Sequence, residues 1–168
     1  MSIKITVLVP TYNQSVVIRN TVLSILNQTY KNIEIIVVDD CSTDNTLEKI
    51  KYFGEKIKVI KHSVNMHVSA ARNTGMNNAQ GSYLAFLDSD DEWRENKIEL
   101  QIAFMQKFDY DISCTDFESN YLEGRGVEVK KRPYNEIKLK DCLWGIYFAP
   151  GSTLVIKKNI LKIIGGYN

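Results

Sequence analysis

Apolar residues run almost unbroken from Ile3 to Val9 and stop at Pro10-Thr11-Tyr12-Asn13, the pattern of a strand covered on both faces that ends in a turn. Over residues 15–27 the period changes. Ile18, Val22, Ile25 and Leu26 stand at i, i+4, i+7 and i+8, one stripe of an amphipathic helix. The same alternation then returns. Residues 33–38 predict a second strand ending at Asp39-Asp40, followed by a helical segment carrying Leu47, Ile50 and Phe53, with Asn45 and Glu48 spaced as a capping box at its start. Residues 57–60 predict a third strand, 68–79 a third helix, and Gly81-Ser82 a turn into a fourth strand at 83–87.

Beyond Asp91 the rhythm weakens. A helix is expected near 97–107 on Ile98, Ile102 and Met105, a short strand at 112–114, and a turn at Gly124-Arg125-Gly126 between two hairpin arms. A short helix near 139–144, a strand at 152–156 and a last helix at 159–164 complete the pattern, with Gly165-Gly166 as its C-cap.

Strands and helices alternating at this spacing imply right-handed βαβ crossovers, hence a mostly parallel sheet with helices on both faces, a Rossmann-like α/β fold. Residues 1–168 read as one domain, without internal repeat or low-complexity tract. The loops that leave the C-terminal ends of parallel strands share one rim, where open α/β sheets bind ligands. Residues 10–13, 39–44 and 88–91 are thereby expected side by side, although they are far apart in sequence.

Composition narrows the class. At 168 residues, 44% hydrophobic and 24% charged, the chain is ordinary globular protein and not a disordered one. Its apolar runs fall short of the roughly 18 residues of a membrane span, and the N-terminus lacks a signal-peptide layout, so a cytoplasmic location is expected. Cys41, Cys114 and Cys142 are too dispersed for a disulfide framework or a zinc site. Cys41 is a poor nucleophile candidate beside Asp39 and Asp40, whose charges disfavour a thiolate. Charge is uneven: residues 1–124 carry 12 Lys/Arg against 17 Asp/Glu, and residues 125–168 carry 9 against 3. The basic run Lys130-Lys131-Arg132 suits either plain solvation or peripheral contact with an anionic membrane surface; no nucleic acid partner is expected.

The acids at 88–91 need a neutralising partner, since clustered like charges disfavour one another's ionisation. Asp88 and Asp90, one residue apart just past a buried strand, suit a hard divalent ion, Mg²⁺ or Mn²⁺, which takes one or two protein carboxylates and completes its shell with water and phosphate. A plainer alternative makes Asp91 and Glu92 acids at a helix start. Asp40 could accept hydrogen bonds from a base or ribose, and Tyr12 offers a ring for a nucleobase to stack on; alternatively Asp40 caps and Tyr12 packs. Arg72, as a bidentate fork, and Asn73 could reach the rim to hold the acidic loops or the nucleotide; a plain surface ion pair is the alternative. His67 has no evident carboxylate partner.

Four ordered segments now carry a resemblance: VLVPTYNQ (7–14), IIVVDDCSTDNT (35–46), SAARNTGMNNAQGSYLAFLDSDD (69–91) and STLVIKKNILKIIGGYN (152–168). Together the chain resembles the nucleotide-sugar glycosyltransferases of family 2, which have the GT-A fold. That resemblance implies a nucleotide site at Pro10, Tyr12, Asp40, Arg72 and Ser89, and a metal motif Asp88-Ser89-Asp90 with Asp90 the direct ligand. It further implies an inverting transfer from a nucleoside-diphosphate sugar, commonly a UDP-sugar, to the hydroxyl of a saccharide or lipid-linked acceptor, with a carboxylate as general base. Two departures stand out. The family often has Gly where this chain has Asn45 and His67, which would alter local loop shape. Its catalytic carboxylate lies beyond the segment matching Gly165-Gly166-Tyr167-Asn168, so the base is expected after Asn168 and the chain is expected to be the N-terminal part of a longer enzyme.

Other classes fare worse or need the chain alone. A sugar nucleotidyltransferase would carry a Gly-rich, basic triphosphate loop after Val9, and a dehydrogenase would carry G-x-G-x-x-G there. A phosphatase using Asp88 as nucleophile would release phosphate from a simple ester. The rival from another class is a non-catalytic nucleotide-sugar-binding or assembly domain.

Overall fold

The computed structural model describes residues 2–120, 127–130 and 151–167. A six-stranded sheet has the spatial order β3-β2-β1-β4-β8-β5, built from β1 (Ile5–Thr11), β2 (Ile33–Asp39), β3 (Lys58–Lys61), β4 (Tyr83–Phe86), β5 (Ile112–Ser113) and β8 (Val155–Lys157). The first four strands are parallel to one another, and β8 runs antiparallel between β4 and β5. The expected parallel sheet is therefore present, with a reversed strand added at one side. The hairpin arms β6 (Phe117–Asn120) and β7 (Val127–Lys130) pair antiparallel as expected, while the turn at 124–126 and the short helix near 139–144 lie outside the described residues.

All seven residues of β1 are buried, because this central strand has helices on both faces. On one face α1 (Ile18–Leu26), α2 (Thr46–Lys51) and α4 (Lys97–Phe108) press Ile18, Val22, Ile25, Ile50, Ile98, Ile102 and Met105 onto Val7, Val9 and Val37. On the other, α3 (His67–Asn78) and α5 (Lys158–Ile164) cover Leu8, Ile36, Val38, Leu84 and Phe86. Each such buried aliphatic side chain contributes about 1.5 to 3 kcal/mol relative to exposure. Helix α3 comes close through small residues: a Cβ on Gly75 would stand 3.0 Å from Leu8 Cδ2. Among the described residues no helix is long and apolar enough to cross a membrane.

Three local expectations change. The strand expected at 152–156 begins as a 3-10 turn, Gly151–Thr153, and pairs only over Val155–Lys157. The capping box is not formed. Asn45 occupies the N-cap of α2 without a side-chain cap bond, and Asp44 takes the role instead. Its Oδ1 accepts from the Thr46 N–H at 3.0 Å and the Thr46 hydroxyl at 2.5 Å, and its Oδ2 accepts from the Ser15 N–H at 3.1 Å, so one carboxylate ties the start of α2 to the segment entering α1. Finally His67, where the family often has Gly, adopts φ +66°, the left-handed conformation that glycine takes without cost.

What little burial Asp44 has raises its pKa, but the bonds from Thr46 and Ser15 outweigh this and hold the carboxyl down at about 2. A depressed folded value makes its contribution full above about pH 4 and lost as pH falls through about 2. Asp44→Ala is expected to lose about 1 to 2 kcal/mol of stability at neutral pH in denaturant titration, as for other N-caps, with the difference from the parent shrinking towards pH 2.

Candidate functional site

The strand order reverses at β1: β2 and β3 extend to one side, and the chain returns to place β4 on the other. Ligand crevices form at such a switch point. Here a cleft of about 280 Å³ opens at the C-terminal ends of β1, β2 and β4, lined by Pro10, Thr11, Tyr12, Gln14, Asp40, Val68, Ala71, Arg72, Asp88, Ser89 and Asp90. Of the residues singled out in the sequence for nucleotide or metal, Pro10, Tyr12, Asp40, Arg72, Asp88, Ser89 and Asp90 line this one cleft, and Asn73 does not.

The loops after β1 and β2 are stitched together. Asn13 leaves β1 with φ +53°, and its Oδ1 accepts from the backbone N–H of Thr43 at 2.8 Å and of Asp44 at 3.4 Å. In return the Asn13 N–H donates to Ser42 Oγ at 3.0 Å and the Gln14 N–H to Thr46 Oγ1 at 2.7 Å. Tyr12, between these anchors, stays 44% exposed, so its ring is open to the cleft. Asp40 is buried, and its Oδ1 is taken by His62 Nδ1 at 2.6 Å and by the Met66 N–H at 2.9 Å. His62 was missed in the sequence; the sole signal was its position after β3, the next strand of the same rim.

On the other side of the crevice, Arg72 Nη2 donates to Asp88 Oδ1 at 2.7 Å. The contact uses one nitrogen, not the bidentate fork expected. The guanidinium also lies 5.1 Å from the centre of the Tyr167 ring, and its Nε is buried without a hydrogen-bond partner among the described residues. Asn73 does not reach the rim. It clamps the backbone of Tyr167, donating from Nδ2 to the carbonyl at 2.8 Å and accepting the N–H on Oδ1 at 2.9 Å. Burial raises the Tyr167 phenol, Arg72 lowers it in part, and Asp88 adds to the rise.

The acidic loop is braced rather than loose. The Asp88 N–H donates to Ser152 Oγ at 3.0 Å, the Ser152 hydroxyl donates to Asp91 Oδ2, and Thr21 Oγ1 donates to the Ser89 carbonyl at 2.8 Å. Asp91 is half-buried. Burial first raises its pKa, the Ser152 bond lowers it, and the charges of Asp90 and Asp88 raise it further. At Asp91 the like-charge effect is thus secondary to desolvation. Asp91 and Ser152 turn inward, while Asp90 is exposed and makes no hydrogen bond or ion pair with the described residues.

These carboxylates fit a hard cation. Asp90 is free on the cleft wall, and Asp88 keeps Oδ2 unengaged by Arg72. Among the described residues no group of three or more His, Cys, Asp or Glu gathers as a complete cage.

A second, wider cleft of about 1090 Å³ starts at Asp90 and is walled by Trp93, Lys97, Leu100, Phe104 and Phe117 among others. Asp116 and Glu118 both line it. Glu118 Oε1 is ion-paired to Arg94 Nη2 at 2.7 Å. Lys97 donates to Gln101 Oε1 at 2.8 Å with its Nζ 4.2 Å from the Trp93 ring centre, and burial pulls its amine down to about 7, against a small rise from nearby Cys114.

Comparison with known proteins gives this geometry a context. A family model described as "Glycosyl transferase family 2" matches residues 6–165. The chain is 37% identical over 162 residues to the UDP-Glc:alpha-D-GlcNAc-diphosphoundecaprenol beta-1,3-glucosyltransferase WfgD of Escherichia coli, covering 94% of this chain and 62% of that protein. It is 40% identical over 127 residues to the putative teichuronic acid biosynthesis glycosyltransferase TuaG of Bacillus subtilis, covering 74% of this chain and 50% of the relative. The crystal structure of S. aureus TarS 1-349 in complex with UDP-GlcNAc superposes with TM-score 0.80 at 27% identity, covering 98% of this chain and 48% of TarS. The chain thus spans 62% of WfgD and 50% of TuaG.

Proposed function

Since the chain belongs to glycosyltransferase family 2, we propose that its first cleft binds the nucleotide of a UDP-sugar and that the protein transfers the sugar to an acceptor hydroxyl with inversion. The observation that carries this reading is the convergence of Tyr12, Asp40, Arg72 and Asp88 to Asp90 on one cleft from three strand ends and a helix. The Tyr12 ring stacks on the base, Asp40 Oδ2 accepts a base N–H, and Arg72 joins Asp88 to the pyrophosphate side. Asp90, with the free oxygen of Asp88, holds a divalent cation, Mn²⁺ or Mg²⁺. When bound, such an ion neutralises charge on the departing diphosphate.

The second cleft takes the acceptor. It meets the first at Asp90, which supports an acceptor hydroxyl entering along Trp93 and Phe117; inversion requires that hydroxyl to reach the anomeric carbon from the side opposite the diphosphate. WfgD is named for a UDP-Glc donor and a GlcNAc-diphosphoundecaprenol acceptor, which supports a UDP-sugar and a lipid-linked saccharide here, with peripheral approach to a membrane surface. Stacking and one charged hydrogen bond to the base, each worth about 1 to 3 kcal/mol, together contribute about 2 to 6 kcal/mol to UDP binding, to which the metal and diphosphate contacts add. Calorimetric titration with UDP and Mn²⁺ should show this binding, weakened at least tenfold by chelation of the metal. No heat with UDP at millimolar concentration would remove the reading.

A further inference from the structure

Two crossovers meet at a buried histidine. His62 follows β3, and its backbone N–H donates to the Asp39 carbonyl at 2.9 Å, which fixes it beside the end of β2. Its ring bridges two elements, with Nδ1 2.6 Å from Asp40 Oδ1 and Nε2 2.9 Å from Thr74 Oγ1 on α3. The side chains of His62 and Asp40 are 8% and 5% exposed. In the neutral ring the Thr74 hydroxyl donates to Nε2, which leaves the proton on Nδ1 for Asp40; which nitrogen carries the proton is set by the bond the other makes.

With the Met66 N–H also on it, Asp40 Oδ1 has two donors and is saturated, while Oδ2 takes no hydrogen bond from the described residues although Asp40 lines the cleft. A carboxylate turns freely about its last torsion unless something distinguishes its oxygens, and here the His62–Met66 pair does so. We propose that His62 is a positioning residue that locks the Asp40 carboxylate, so that one oxygen stands as a fixed acceptor for a nucleobase N–H. The inference rests on the nucleotide reading above and deepens it. A fixed acceptor favours a base with a ring N–H, as uracil has at N3, over cytosine, whose N3 presents a lone pair to the carboxylate. Sites built to hydrogen-bond one partner reject its mismatch because a buried polar group is left unpaired. The effect falls on the base and leaves the pyrophosphate side, held by other loops, unchanged.

The test titrates UDP, CDP and inorganic pyrophosphate, each with Mn²⁺, into the parent chain and into His62→Leu, His62→Asn and Thr74→Val. Expected are a 10- to 30-fold weaker affinity of His62→Leu for UDP, a UDP-over-CDP preference reduced by a similar factor, and a pyrophosphate affinity altered by less than twofold. His62→Asn, whose side-chain N–H can reach the place of Nδ1, should recover most of the loss. Thr74→Val, which leaves His62 in place, should show a base-specific loss of about threefold and keeps the proposal testable if His62→Leu does not fold. Equal UDP affinity in parent, His62→Leu and Thr74→Val would overturn it, as would equal losses for UDP and pyrophosphate, the mark of a merely structural role. If the unaltered chain binds pyrophosphate but not UDP, the nucleotide reading itself falls first and takes this inference with it.

Discussion

Asp90→Ala is expected to lower metal-dependent UDP affinity about 100-fold while leaving the fold intact. Removing a hydrogen-bond partner of a metal ligand already costs about 10- to 100-fold in metal affinity, so removing a ligand should reach the upper end or beyond. Asp90 is the cleaner site for this test than Asp88. Asp88→Ala would strand the Arg72 guanidinium, whose Nη2 it accepts at 2.7 Å and whose Nε is already buried without a partner, so that binding and stability would change together. Asp90 has no such structural partner among the described residues and is exposed, so its removal should change stability by no more than about 0.5 kcal/mol. The sign reverses without metal. In chelator the lost negative charge relieves repulsion with the diphosphate, and affinity for UDP should equal or exceed that of the parent. Calorimetry with and without Mn²⁺ reads both limbs; equal metal-dependent affinity in parent and variant would remove Asp90 from the metal site.

Gly81→Ala, in the turn that enters β4, should be strongly destabilising. The added Cβ would stand 2.5 Å from the Thr6 backbone nitrogen and 2.8 Å from the Ile5 carbonyl carbon, distances that real Cβ atoms do not show. The obstacle is backbone of β1, which is paired on both sides, to β2 and to β4, and cannot give way without opening a ladder. The Gly81 N–H also donates to Thr6 Oγ1 at 2.8 Å, and that hydroxyl donates to Glu34 Oε2 at 2.5 Å, so a shift of the turn would break a buried chain of bonds as well. Overpacking against a rigid wall costs about 3 kcal/mol or more, which for a domain of this size lowers Tm by roughly 6 to 12 °C. Gly54→Ala is the control. Gly54 has φ +55° with nothing within 4 Å of the added atom, so only the left-handed conformation is penalised, by about 1 to 2 kcal/mol. A melting curve for Gly81→Ala no lower than that of Gly54→Ala would show that β1 can move.

The sequence by itself determined the layers and the rim. Continuous apolar runs can be read one strand at a time, and right-handed crossovers then leave few ways to order four parallel strands, which places residues 10–13, 39–44 and 88–91 together. What the sequence could not give is the choice of partner for each polar group, because that depends on atoms brought within 3 Å from distant segments. Asn45 and Glu48 had the spacing of a capping box, yet Asp44 won because it could also satisfy the Ser15 N–H, 29 residues away. Asn73 was free in sequence to face the rim and was captured by Tyr167, 94 residues on. His62 carried no local sign of its pairing with Asp40, since a hydrogen bond across two parallel strand ends leaves no periodicity to read. Burial and packing patterns are properties of a chain's own spacing, whereas hydrogen-bond partnership is decided by competition among groups that meet only after the sheet has formed.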